Sequence, residues 1–110
     1  MTTRVLHNPR IAGDVVSVLI PIAEHPLSDT YRWLLFELSE VLGRGYQAAL
    51  AETARRLALA ERPDQYLLES ARWRASISDA LGHDPSLAED LRIMVLKTRA
   101  RLDQERFAGF

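Results

Sequence analysis

At 110 residues the chain has the length of one domain, and 47% hydrophobic with 26% charged residues is ordinary globular composition that excludes a disordered chain. Fourteen basic against fifteen acidic residues leave a formal net charge of -1, so no global field draws the protein to nucleic acid or to an anionic membrane. The absence of cysteine excludes disulfides, thiol nucleophiles and thiolate metal sites.

No apolar run approaches the roughly 20 residues of a membrane span. The stretch Met1 to Pro9 lacks the apolar segment and small-residue cleavage site of a signal peptide, so a cytoplasmic location is expected. Every basic residue except Lys97 is arginine, a usage that points to a GC-rich bacterial source.

In chain order, residues 1–7 carry no period and are expected to be loosely ordered. Asn8-Pro9 reads as a cap followed by proline at the first helical position. Ile11, Val15, Val18, Leu19 and Ile22 then fit one helical face, which predicts a helix over about 9–24. Gly13 weakens it and Pro21 bends its last turn, so it is expected to be the shorter element. The β-branched run over residues 15–20 also fits a strand, but a lone strand would have nothing to pair with.

Ser28 is a natural cap for the clearest helix, over 28–42, and the chain reads as organised around it. Tyr31, Leu34, Leu35, Leu38, Val41 and Leu42 share one face. Trp33 and Phe36 fall on the opposite side, flanking Glu40. This helix therefore asks for burial on two sides. Gly43-Arg44-Gly45 is a tight turn into an alanine-rich helix over 46–61, with Tyr46, Ala49, Leu50, Thr53 and Leu57 inward and Arg55, Arg56 and Arg62 solvated. A fourth helix over 65–81 carries Tyr66, Ser70, Trp73, Ile77 and Ala80 in one stripe and closes at Gly82. Asp84-Pro85 starts the last helix, 85–106, whose stripe is Leu87, Leu91, Met94, Val95, Thr98 and Leu102, with Ile93, Leu96 and Phe107 pointing elsewhere. Residues 107–110 form a loose end with two aromatics. The expected fold is all-α, a single-domain irregular bundle of four long helices preceded by a shorter, proline-bent one.

The segment from Ile77 through Ala80-Leu81-Gly82 to Arg92 resembles the helix-turn-helix of bacterial DNA-binding domains. The resemblance implies a DNA-binding regulator in which Ser86 and Arg92 would meet the DNA. The chemistry opposes it, because the same turn carries Asp84, Glu89 and Asp90, which phosphates repel. For metals, Glu37 and Glu40 lie one turn apart, but no Glu-x-x-His follows, and His7, His25 and His83 fall in tail or turn positions. No phosphate loop or nucleophile elbow occurs, so no catalytic residue, metal or cofactor is expected.

The remaining signal is apolar excess on second faces. It predicts a non-enzymatic helical interaction module, a small adaptor, inhibitor or assembly factor whose partner is another protein or a second copy. Trp33 and Phe36 are the candidate anchors, with Arg32 and Arg44 at the rim. The alternatives are the DNA-binding regulator and a small-molecule binder or enzyme with a site between helices.

Overall fold

Five helices account for the computed structural model, which describes residues 2–60 and 62–108, with side chains over 8–60 and 62–106. They are α1 (Thr2–Ala23), α2 (Asp29–Leu42), α3 (Arg44–Ala58), α4 (Gln65–His83) and α5 (Leu87–Ala108), and no strand occurs among the described residues. The all-α bundle is as the periodicity predicts. Residues 15–20 are helical, as the missing strand partner requires.

The centre of the fold is α1, and not the helix with the clearest amphipathic pattern. It packs on all four other helices. Ile11, Ala12, Val15, Val16, Val18, Leu19, Ile20, Ile22 and Ala23 are all buried, so its second half is apolar nearly all round, the pattern of a helix enclosed by its own protein. It is also not the shorter element: with 22 residues it matches α5 and exceeds the 14 of α2. The helix continues N-terminally through Asn8-Pro9, so Asn8 does not cap it. Pro21 lies inside the last turn, where its missing N–H costs one bond close to the end at Ala23. Residues 2–7 and 107–108, expected to be loosely ordered, are the outer turns of α1 and α5, and residues 1, 109 and 110 lie outside the described residues.

Local chemistry sets the other boundaries. The Ser28 hydroxyl accepts from the Tyr31 N–H at 3.1 Å, closing the start of α2, and Asp29 adds a carboxylate to its first turn. Gly43 ends α2 with φ 105, which an L side chain rarely adopts, and its N–H donates to the carbonyls of Leu38 and Ser39. One residue therefore joins α2 to α3, and the two helices pack on each other. Farther on, α4 runs through Gly82 to His83, and α5 starts at Leu87 instead of Pro85, because Asp84–Ser86 form the connection.

Most inward stripes hold. Tyr31, Leu34, Leu38, Leu50, Thr53, Trp73, Ile77, Leu91, Met94, Val95 and Thr98 are buried, while Leu35, Val41, Leu42, Tyr46, Leu57, Leu87 and Leu102 are half-buried against them. Burial pushes the Tyr31 phenol above its ordinary pKa. Ala49 and Tyr66, assigned inward by spacing, are exposed.

Candidate functional site

The question left by sequence is the outer side of α2, and two contacts with α5 define it. The Thr30 hydroxyl donates to Glu105, and the Arg101 guanidinium carbon lies 4.9 Å from the centre of the Trp33 ring. As α2 advances from residue 30 to 33, its α5 partner retreats from 105 to 101. The two helices are therefore antiparallel neighbours.

This arrangement separates the two aromatics. Trp33 is half-buried, packs against the core and is covered by Arg101, whose buried Nε has no hydrogen-bond partner and rests beside the ring. Phe36, one turn on, is 60% exposed. Trp33 belongs to the fold, and Phe36 is free on its surface. The rim candidates are both exposed: Arg32 is paired with Asp29 at 2.5 Å, and Arg44 opens α3. On α5 the residues that leave the inward stripe do face solvent, with Ile93 41% and Leu96 62% exposed. Leu27, Leu59, Tyr66, Leu67 and Leu68 are exposed at loops and on α4.

One cluster escaped the sequence reading. Glu69 is fully buried, and Arg56 grips it in a fork, Nε to Oε2 and Nη2 to Oε1, both 2.8 Å. Thr53 donates to Oε1 at 3.1 Å and Gln65 to Oε2 at 2.7 Å, while Arg72 approaches at 3.4 Å. The Trp73 indole N–H donates to the Thr53 hydroxyl at 2.8 Å, which ties the network into the core. Arg56 is thus not simply solvated, while Arg55 and Arg62 are exposed and pair with Glu52 and Asp64. Its hydrogen bonds hold the Glu69 carboxyl below the ordinary carboxylate range against the opposing effect of burial, with Thr53 and Gln65 assisting. The clue in the sequence is that Glu69 falls one turn before Trp73, in the buried stripe of α4.

The turn that resembles a helix-turn-helix is tied internally. The Ser86 N–H and hydroxyl both donate to Asp84 Oδ1, and Arg92 donates to Glu89 at 3.3 Å. Both residues border an open cleft of about 870 Å³ between α1 and the start of α5, lined also by Arg10, Asp14, Asp84 and Glu89. Among the described residues no group of three or more His, Asp or Glu converges on a point that could hold a metal, and no helix is long and apolar enough to cross a membrane. His25 is exposed in a turn, and His83 Nδ1 lies 2.9 Å from the Asp79 carbonyl at the end of α4. His7 lies outside the described side chains.

The class defined by these features is an all-α bundle whose exposed large apolar side chains include Phe36 on α2 and Ile93 and Leu96 on α5. Comparison with protein-family models, with curated proteins and with solved structures finds no match.

Proposed function

We propose that the protein is a non-enzymatic helical interaction module that works in the bacterial cytoplasm as a small adaptor, inhibitor or assembly factor. Its working surface is the outer face of α2 with the adjoining face of α5, with Phe36 as anchor and Arg32 and Arg44 at the rim. The observation that carries this reading is the 60% exposure of Phe36 beside a Trp33 already held by Arg101. A large aromatic in open water gains nothing for the monomer, whereas its desolvation by a partner is worth about 1–2 kcal/mol from area alone. Affinity from such burial should change little with salt, unlike phosphate binding.

The test is the mass of the native particle from its own source. A particle heavier than the 12.5 kDa chain is expected, and Phe36→Glu should reduce it to the chain mass. A native particle of 12.5 kDa would contradict the reading.

A further inference from the structure

We infer that the recess between α3 and α4 beside Trp73 is a binding site for a small organic carboxylate with a ring-sized apolar body. This site goes beyond the interaction reading and holds whether or not that reading does. Its basis is a cavity bordered by an arginine that the buried network does not need.

The cavity holds about 180 Å³ and is lined by Ala49, Thr53 and Arg56 of α3 and by Arg72, Trp73 and Ser76 of α4. Each set recurs at three or four residues, so it occupies one face of its helix. The cavity also accounts for Ala49, which has the spacing of an inward position yet is exposed because the space beside it is open. For scale, an apolar cavity of about 150 Å³ admits benzene. The space suits one ring or a short chain.

Charge selects the sign of the ligand. Glu69 accepts from four donors at 2.7–3.1 Å, two on Arg56 and one each on Thr53 and Gln65. A carboxylate offers about four lone-pair positions, so these complete it. Arg72 is a fifth donor at 3.4 Å, and Glu69 is satisfied without it. The ion pairs run in a chain, Arg55 to Glu52 to Arg56 to Glu69 to Arg72, with arginine at both ends. Three guanidinium groups against two carboxylates leave one positive charge over, and Arg72 is the end of the chain that lines the cavity. Thr53 and Trp73 spend their donors inside the network, so the polar contacts left to a ligand come from the arginines and the Ser76 hydroxyl. A carboxylate on Arg72 and Ser76 with its ring against Ala49 and Trp73 uses both halves of the lining, whereas a cation would be repelled.

The two tryptophans give the experiment a reporter and a control. The Trp73 indole N–H donates to Thr53 on the cavity wall, while Trp33 lies under Arg101 of α5. Benzoate is titrated into the full chain to about 20 mM, above the Kd on the order of 1 mM that suits a ligand of this size, and both indole N–H signals are followed by NMR. The Trp73 signal should shift and saturate while the Trp33 signal stays in place. Neutral benzamide, or benzoate with Arg72→Gln, should bind about tenfold more weakly, the loss of one charge-assisted contact. Ala49→Leu, which fills the cavity, should abolish the shift. Both substitutions are at exposed positions, and circular dichroism checks that the variants are folded. No saturable Trp73 shift, an equal shift of Trp33, or undiminished affinity in any of the three comparisons would overturn the inference.

Discussion

Leu19→Ala is expected to cost about 3–5 kcal/mol of unfolding free energy, the upper part of the range for leucine truncation in a packed core. Leu19 is fully buried in the stretch of α1 that is apolar nearly all round, and α1 touches every other helix. Neighbours fixed by several elements at once cannot collapse far into the space left by the removed atoms, so transfer and cavity terms add. Against the 5–15 kcal/mol typical of a domain, that is a large fraction of the total. Urea denaturation followed by circular dichroism measures it. A loss below about 1 kcal/mol would mean that α1 is not the centre of the core.

Arg56→Met is expected to cost about 3 kcal/mol, the low end of the range for leaving one partner of a buried ion pair unmatched. The low end applies because the Arg56 side chain is 32% exposed and Thr53 and Gln65 still donate to Glu69. The same pair makes stability depend on acid. A carboxyl whose folded pKa is depressed contributes stability that is present above its unfolded pKa of about 4.3 and lost as pH falls through the folded value. The wild type should therefore weaken on acidification below about pH 4.5. In Arg56→Met the largest cause of the depression is gone, and this acid-dependent loss should shrink. Urea midpoints at pH 7 and pH 3.5 for both proteins provide the check. An equal acid loss in the two proteins would remove Glu69–Arg56 from the account.

Much of this was legible in the chain, and the misses have physical causes. The three-and-four spacing of Tyr31, Leu34 and Leu38, with Ser28 ahead and Gly43 behind, specifies α2 closely because caps and periodicity agree. α1 reads as the shorter helix because Asn8-Pro9 looks like its start and Gly13 and Pro21 look like weak points within it. Burial on all sides compensates for weak propensity, and the run of apolar residues from Ile11 to Ala23 was the sign of it. Glu69 and Arg56 lie on different helices, so their pairing depends on how α3 and α4 face each other. Periodicity along one helix carries no such information. For the same reason it placed Trp33 and Phe36 on one face but not the neighbour that would cover one and leave the other, since that is decided by Arg101, far along the chain.

The claim on which the functional reading stands is that the fold is complete without Phe36. The most direct test compares Trp33→Gln with Phe36→Gln in urea denaturation at low protein concentration, where the monomer prevails. Trp33→Gln should lose about 2 kcal/mol, a reduced version of the 3–5 for a fully buried aromatic, and Phe36→Gln should stay within about 0.5 kcal/mol of wild type. A Phe36→Gln loss equal to that of Trp33→Gln would make this aromatic part of the core and contradict the account.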